Sequence, residues 1–295
     1  MEYTSIVLIK QVPDTKNITG EVMKEDGTVN RAVLPAIFNP DDLNALEMSL
    51  SIREIFGGTV KVMTMGPPWS SEILRESLYR GADEVIQLSD KRFAGADTLA
   101  TAYTLSKAIK KSGKFDFIFC GRQAIDGDTA QVGPQVAAKL DIPQVTFVEK
   151  IEQIDNYSIT VRRSIEGGYE IIKTNLPVLL TIMGTANEPR YPSCKLMMKY
   201  KKAKSITEIE RENNLSGEKV KNLLKELERK KLLIKSWKVE DIDIDPSDCG
   251  SNGSPTRVAK AENVQLISSE IKKVEPNIKD IRGLITELVS DHILG

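Results

Sequence analysis

The sequence has few of the residues that bind metals or form disulfide frameworks. Its 295 residues include three cysteines and one histidine. Cys120, Cys194 and Cys249 lie far apart and form no CxxC pair, which argues against a disulfide framework, a zinc site and an iron–sulfur site. This cysteine usage favours a reducing, cytoplasmic location. The histidine, His292, lies near the end of the chain, where we expect it to be solvated rather than catalytic.

A large net charge and long apolar runs are also missing. The formal net charge is -1 with 28% charged residues, which argues against a generally basic nucleic-acid binder and an acidic disordered chain. No stretch approaches the ~20 apolar residues of a membrane-spanning helix. The first residues, MEYTSIVLIKQVPD, have an acid before a short apolar run and no small-residue cleavage site. We therefore expect neither a signal peptide nor a membrane segment.

In the first half of the chain, short apolar runs alternate with amphipathic segments, as in parallel sheets whose strands are joined by helices. The pattern predicts an α/β fold with a Rossmann-like parallel sheet. Asn39 can cap a first helix, Pro40 suits its first turn, and Asp41 and Asp42 meet the positive end of its dipole. The other predicted elements are strands at residues 6–12, 59–65, 84–88 and 115–120, helices at 70–80 and 98–111, and a hairpin turn at 26–27.

The second half of the chain predicts three additions to this sheet. From residue 144 the pattern changes to that of an antiparallel extension, with strands at 144–154, 157–164 and 170–174 and a further apolar strand at 176–183. Residues 201–236 are rich in lysine and arginine and show two helical patterns around a turn, which predicts a basic helical insertion similar to a helix-turn-helix. Residues 237–295 would form an extended C-terminal arm that ends in a helix starting at Asn277.

The most informative motif is CGRQAIDGDTAQVGP at residues 120–134, which follows a predicted strand and opens a helix that runs to Leu140. In parallel sheets, ligands bind at this place. Small residues let backbone amides approach a phosphate, and the helix N-terminus adds further donors. The small residues are Gly121, Gly127, Thr129 and Ala130. Asp126 and Asp128 could instead be loop-forming residues without a ligand.

Two other strand ends point to the same edge of the sheet. Residues 65–67, Met-Gly-Pro, follow the second predicted strand, and residues 10–14 end the first. Each loop alone has the glycine and proline residues that end strands in many proteins. Because the carboxyl ends of parallel strands share one edge, we expect the three loops to converge on one crevice.

Several motifs in this chain resemble those of electron transfer flavoprotein β subunits. The main one is VRRSIEGGYEII at residues 161–172, followed by LPVLLT at 176–181. The resemblance spans nearly the whole chain to residue 260, except the basic insertion. The other matching motifs are VLIKQVPD at 7–14, Asn39-Pro40, MTMGP at 63–67, GRQAIDGDTAQVGP at 121–134, NEPRYP at 187–192 and GSPTRV at 253–258.

The resemblance implies a heterodimer in which the α subunit carries FAD and the β subunit holds an adenine nucleotide. The nucleotide domain would be residues 1–200, and the arm 237–295 would pack on the α subunit. The last five residues of the implied site would take the phosphate end. Carried over by position, the implied nucleotide-contact residues are Leu8, Asn39, Pro40, Asp41, Asp42, Met65, Gly121, Arg122, Gln123, Ala124, Ile125, Asp126, Gly127, Asp128, Thr129, Ala130, Gln131 and Val132.

The resemblance allows two different nucleotides as the ligand of this chain. In ordinary family members the ligand is a structural AMP, whereas in the electron-bifurcating branch it is a second FAD that accepts hydride from NADH. The loop GDTAQVGP resembles the bifurcating type, because Gly127, Ala130 and Val132 replace bulkier or more polar residues and leave room for FAD. The electrons would then divide between the α-subunit FAD and ferredoxin or flavodoxin. This chemistry needs no metal and no catalytic side chain, since the flavin carries it.

Two further segments imply partners. Residues 189–199 resemble the loop that docks into acyl-CoA dehydrogenases, with Cys194 where leucine is common. Alternatively, Tyr191, Met197 and Met198 pack only within the loop. For the basic insertion, we expect packing on the complex or on an acidic partner such as ferredoxin, because charged runs are usually solvated faces. Binding of nucleic acid by the insertion is the less favoured alternative.

Overall fold

The computed structural model describes residues 2–14, 35–212, 217–256 and 273–290. The described residues up to 256 belong to one compact unit, and residues 273–290 belong to a second. The strands are β1 (Tyr3–Leu8), β2 (Gln11–Pro13), β3 (Ala36–Phe38), β4 (Gly58–Met65), β5 (Glu84–Leu88), β6 (Phe117–Gly121), β7 (Gln144–Ile154), β8 (Ser158–Ile165), β9 (Gly168–Asn175), β10 (Val178–Ile182), β11 (Lys204–Ser205) and β12 (Leu233–Trp237). The helices are α1 (Pro40–Phe56), α2 (Ser71–Arg80), α3 (Thr98–Lys111), α4 (Val132–Leu140), α5 (Cys194–Tyr200), α6 (Ile206–Glu212), α7 (Gly217–Arg229) and α8 (Ile278–Ser290).

Ten of the strands in the described residues form one sheet, in the order β11-β12-β5-β4-β1-β6-β10-β7-β8-β9. All neighbours from β11 to β7 are parallel, and β8 and β9 add an antiparallel extension. The chain builds β4 and β5 on one side of β1 and then β6 on the other. The strand order therefore reverses between β1 and β6, and in open α/β sheets such a reversal opens a crevice at the carboxyl ends of the strands. The predicted α/β class and Rossmann-like sheet are confirmed.

The strands are apolar because helices cover both faces of the sheet. In β1, Val7 faces a core formed with α1 and α2, whereas Ile6 and Leu8 face a second core formed with α3 and α4. In β6, Phe119 and Ile118 alternate in the same way. This period of two is the reason that a fully buried strand appears as a continuous apolar run in the sequence.

The first predicted strand was too long. The structure ends β1 at Leu8, and residues 11–13 form the separate strand β2, which pairs antiparallel with β3 outside the main sheet. Between the two strands, the backbone of Lys10 bonds to the start of α1, since its carbonyl accepts from the N–H of Asn39 at 3.0 Å. The hairpin turn predicted at residues 26–27 lies outside the described residues.

The segment predicted as a basic helical insertion contains the helices α6 and α7 and also two short strands. β11 and β12 run parallel to β5 and extend its side of the sheet. The strands were missed because β11 has only two residues, Lys204 and Ser205, too few to show a period. The predicted turn between α6 and α7 lies at residues 213–216, outside the described residues.

Helix α8 begins at Ile278, one residue after the predicted start. Its apolar side chains Ile278, Ile281, Ile285 and Val289 are all largely exposed. An amphipathic helix of this kind gains most of its stability from a surface that covers its apolar face. None of the helices in the described part of the chain combines the length and the apolar character that crossing a membrane requires.

Candidate functional site

The site lies where three neighbouring strands end. β4, β1 and β6 are adjacent and parallel, so Met65, Leu8 and Gly121 lie along one edge of the sheet. The loops that follow β1 and β6 flank the crevice at which the strand order reverses. The structure therefore brings together the strand ends that the sequence motifs predicted.

Asp42, in the first turn of α1, ties the two loops together. Its Oδ2 accepts a hydrogen bond from the backbone N–H of Lys10 at 2.8 Å, and its Oδ1 accepts one from the N–H of Gly121 at 2.8 Å. The side chain is buried. One carboxylate thus satisfies two amides that would otherwise lie unpaired beyond the ends of β1 and β6.

Asn39 holds the next part of the loop after β6. Its amide Nδ2 donates to the carbonyl of Gln123 at 2.9 Å, and its Oδ1 accepts from the N–H of Ile125 at 3.2 Å. The sequence predicted that Asn39 caps α1, but its side chain makes no capping hydrogen bond. That prediction was wrong, because the fully buried amide finds its partners in the loop 122–125 instead.

The burial of Asp42 changes its acidity. Desolvation raises the pKa of this carboxyl to about 7, although the N–H groups of Gly121 and Lys10 and the Asn39 side chain oppose the shift. Asp41 is affected in the same direction: burial raises its pKa, and the charge of Arg122 opposes the rise. Both carboxyls are held by the fold in places where a charge costs free energy.

A tight junction surrounds Asp41. A Cβ atom on Gly121 would lie 2.6 Å from Cβ of Asp41 and 2.6 Å from Oδ1 of Asp42, so only glycine fits there. A Cβ on Gly184 would lie 2.8 Å from Oδ1 of Asp41. Oδ2 of Asp41 and Nε of Arg122, 3.5 Å apart, are buried atoms without a hydrogen-bond partner. These two atoms are polar groups at the crevice that a bound ligand could satisfy.

The loop from Asp126 to Gln131 has an unusual backbone. Asp128 and Ala130 have φ angles of +50° and +52°, in the left-handed region. Gln131, which follows, is right-handed and makes no side-chain cap at the start of α4. A left-handed residue next to a right-handed one turns successive N–H groups towards one point, and a helix start adds more donors. The loop can therefore receive an anion such as a phosphate.

Side chains hold the two acids of this loop. Lys10, which follows β1, forms an ion pair with Asp126 at 2.7 Å. Nε2 of Gln123 donates to Oδ1 of Asp128 at 2.9 Å. Both acids thus have protein partners, as the alternative hypothesis of loop-forming residues expected. Nevertheless, these bonds also stabilise the backbone conformation that turns the amides outward.

The predicted residues lie at the ends of five elements and in one loop. Leu8 and Met65 end β1 and β4, Asn39 to Asp42 form the start of α1, and Gly121 ends β6. Val132 opens α4. The residues between them, all in the connecting loop, are Arg122, Gln123, Ala124, Ile125, Asp126, Gly127, Asp128, Thr129, Ala130 and Gln131.

Sequence reasoning placed Lys10 at this edge but missed its ion pair, and it missed the contributions of Gly184 and Thr98. Lys10 pairs with Asp126, and Gly184 packs on Asp41. Thr98, at the start of α3, donates a hydrogen bond to the side chain of Gln131 at 3.2 Å. Glycine directly after an apolar strand was a signal that could have found Gly184. Nothing local in the sequence could have found the other two, because their partners are 33 or more residues away.

The segment 187–200 is anchored to the other end of α1 and to α2. Asn44 and Asn187 exchange hydrogen bonds, and Arg190 pairs with Glu47 at 2.8 Å and with Glu54. This anchoring leaves Tyr191, 86% exposed, and Met198, 66% exposed, on the surface. The segment is therefore held in place by α1 and leaves these two apolar side chains exposed, instead of packing them within the loop.

The chain is similar in sequence to several known proteins. The family model described as electron transfer flavoprotein domain matches residues 26–213. An electron transfer flavoprotein subunit beta of Thermoanaerobacterium thermosaccharolyticum is 43% identical over 98% of this chain and 99% of that protein. The caffeyl-CoA reductase-Etf complex subunit CarD of Acetobacterium woodii is 41% identical over 98% of this chain and 99% of that protein. Protein FixA of Bradyrhizobium diazoefficiens is 39% identical over 90% of this chain and 86% of that protein.

The junction around Gly121 predicts a large difference between two glycines of one loop. Gly121→Ala should lower the free energy of unfolding by about 1–3 kcal/mol, because the new methyl group overlaps Asp41 and Asp42. Gly127→Ala is the matched control, since its Cβ would meet no atom within 4 Å, and its effect should stay within about 0.5 kcal/mol. Urea unfolding followed by circular dichroism measures both. Equal effects of the two variants would contradict the packing described.

The raised pKa of Asp42 predicts a pH dependence of stability. Between pH 3.8 and about 7 the folded chain keeps a proton that the unfolded chain has released, so this group's stabilising contribution declines as pH rises through that window. Asp42→Asn cannot titrate. We expect the variant to be less stable at pH 5, with a deficit that shrinks by a few kcal/mol at most towards pH 8. A deficit that grows with pH, measured by urea unfolding, would mean that the pKa is lowered instead.

Proposed function

Since the chain belongs to the electron transfer flavoprotein family as a β subunit, we propose that it binds FAD at the carboxyl edge of β4, β1 and β6 and acts in a heterodimer with an α subunit. The observation that carries the proposal is the pair of clamps made by Asn39 and Asp42. They tie the start of α1 to the loops after β1 and β6, beside the anion-receiving loop 126–131.

The side chains of this chain have binding roles in the proposal. The N–H groups around Ala130 and at the start of α4 receive a phosphate. Arg122, whose buried Nε lacks a hydrogen-bond partner, supplies a positive charge beside the crevice. Asp41 and Asp42 fix the loops and keep their own carboxyls out of solvent. A bound flavin would supply the redox chemistry, by accepting two electrons together and releasing them one at a time.

Space in the loop supports FAD rather than AMP. A Cβ on Gly127 would meet no atom within 4 Å, and the loop there is open to solvent. Ala130 and Val132 are also short side chains at the mouth of the crevice. AMP would need only the clamps and the phosphate loop, whereas the flavin part of FAD would need additional room beyond them. AMP is the second candidate, since the clamps alone suit either nucleotide.

With FAD bound, we propose that NADH is the electron donor and that the complex bifurcates electrons. One electron would go to the α-subunit FAD and the other to ferredoxin or flavodoxin. The loop GDTAQVGP supports this assignment, because it resembles the loop of the electron-bifurcating branch. The relative from Acetobacterium woodii supports one branch of it, because its name places that protein in a complex of an Etf with a CoA-ester reductase.

Two exposed apolar surfaces support docking of the α subunit. The antiparallel extension exposes Tyr157, Tyr169 and Ile171, and α8 exposes an apolar face of its own. Large exposed apolar side chains in groups are typical of interfaces. We propose that the arm 237–295, through α8, and this extension both contact the α subunit.

The anchored loop 189–199 supports an acyl-CoA dehydrogenase-type partner. Its apolar side chains Tyr191 and Met198 stand on a base fixed by Arg190, which suits an anchor that enters a pocket. Cys194 is exposed and smaller than the leucine common at this place, so the partner's pocket would be filled differently. We place the complex in the cytoplasm, since the three free cysteines suit a reducing compartment.

The proposal predicts the nucleotide content of the complex. The chain would be co-expressed with its α subunit and the complex purified. Acid would release the bound nucleotides, and chromatography would count FAD and AMP per heterodimer. We expect two FAD and no AMP, and reduction of one flavin by NADH. One FAD with one AMP would leave this chain as a structural partner in simple electron transfer, and would overturn the bifurcation proposal.

A further inference from the structure

A buried glutamine holds the loop that follows β4. Gln87, in β5, is fully buried. Its Nε2 lies 3.1 Å from the carbonyl of Pro67, 3.0 Å from that of Pro68 and 3.1 Å from Oγ of Ser70. The amide therefore donates to three oxygens of residues 67–70. These residues directly follow Met65 and Gly66 at the edge of the candidate site.

The basic segment holds the other end of the same amide. Oε1 of Gln87 accepts from the hydroxyl of Thr207 in α6 at 2.8 Å and from that of Ser236 in β12 at 3.3 Å. Thr207 is itself buried. The carbonyls of Pro67 and Pro68 can only accept, so they require the Nε2 end of the amide to face the loop. The two hydroxyls hold Oε1 on the opposite side, so the basic segment holds in place a side chain that lies outside it.

Two more contacts join this segment to the same loop and to α2. Glu208 accepts from Arg75 at 2.7 Å and from Ser71 at 2.8 Å, and all three side chains are largely shielded from solvent. The guanidinium of Arg211 lies 4.7 Å from the ring centre of Trp69. The segment is therefore built into the sheet edge around residues 67–71, rather than tethered at its two ends.

We propose that residues 204–212 and 217–237 are a positioning element for the nucleotide site, in which Thr207 and Ser236 hold the Gln87 amide in place and that amide sets the loop 66–70. The inference rests on the proposed nucleotide site, because Met65 is one of its edges. Thr207 and Ser236 are positioning residues, since they act through Gln87.

The physical reason is the burial of both ends of the amide group. The carbonyls of Pro67 and Pro68 keep Nε2 facing the loop, because an amide oxygen in its place would be repelled. Without the hydroxyl of Thr207, the buried Oε1 keeps only the longer bond from Ser236, and the amide is held less firmly. Its bonds to residues 67–70 would then weaken, and the loop would open more often.

The test separates loop positioning from nucleotide binding. Thr207→Val removes the hydroxyl and keeps the shape, and Thr207→Ser keeps the hydroxyl. Thr104→Val is the matched control, because Thr104 is also a buried threonine but donates within α3 to Ala100. In each full-length chain, hydrogen exchange would follow the amides of residues 69–71 without nucleotide. Calorimetric titration with FAD would then give the dissociation constant.

We expect Thr207→Val to speed exchange at residues 69–71 and to weaken FAD binding, each by roughly tenfold, the effect of one lost buried hydrogen bond. Thr207→Ser and Thr104→Val should behave as the unaltered chain does at these amides. Equal exchange in the two valine variants would overturn the positioning role. Faster exchange with unchanged FAD binding would overturn the link to the nucleotide site. If the unaltered chain binds no FAD, the proposed function fails, while the exchange data still judge the loop.

Discussion

The arrangement of the whole site depends on one short turn, residues 39–42 at the start of α1. From this turn, Asp42 accepts from amides beyond β1 and β6, and Asn39 bonds both a carbonyl and an amide of the loop 122–125. Backbone groups beyond the end of a strand have lost their ladder partners, so they need such substitutes when they are buried. The turn supplies them at the point where the strand order reverses. Without it, the backbone of residues 10 and 121–125 would lose the bonds that hold it beside α1.

Close packing around the turn explains why two glycines lie there. Gly121 and Gly184 let β6 and the end of β10 approach Asp41 closely, which encloses the two acids and raises the pKa of each. The carboxyl of Asp42 is costly to charge, yet it accepts hydrogen bonds from the backbone amides of Lys10 and Gly121. These two amides lie at the candidate site. We therefore expect stability and nucleotide binding to be coupled in this region, since Asn39 and Asp42 are among the buried polar residues of the described part of the chain.

The sequence was sufficient for the periodic parts of the fold and for the loops of the site. Of the strands next to β1, β6 is fully buried and β4 is buried mainly in its second half, so each contains a distinct apolar run. Their carboxyl ends lead directly to the motifs at 65–67 and 120–134. It was not sufficient for Asn39, because an asparagine before Pro40 fits the pattern of a helix cap, and only the approach of residues 122–125 shows its other use. The strands β11 and β12 and the roles of Lys10, Thr98 and Gln87 were also missed. Each of them depends on a partner that is distant in the sequence and close only after the sheet has formed.

The most direct test of this account is the nucleotide content of an Asn39→Asp variant, purified as the complex with the α subunit. The substitution keeps the shape and the oxygen that accepts from Ile125, but replaces the donor to the Gln123 carbonyl with a second oxygen. If the turn organises the site, the nucleotide bound by this chain should fall well below one per heterodimer, while the FAD of the α subunit remains. Full occupancy in the variant would contradict the claim that the turn at residues 39–42 holds the binding edge together.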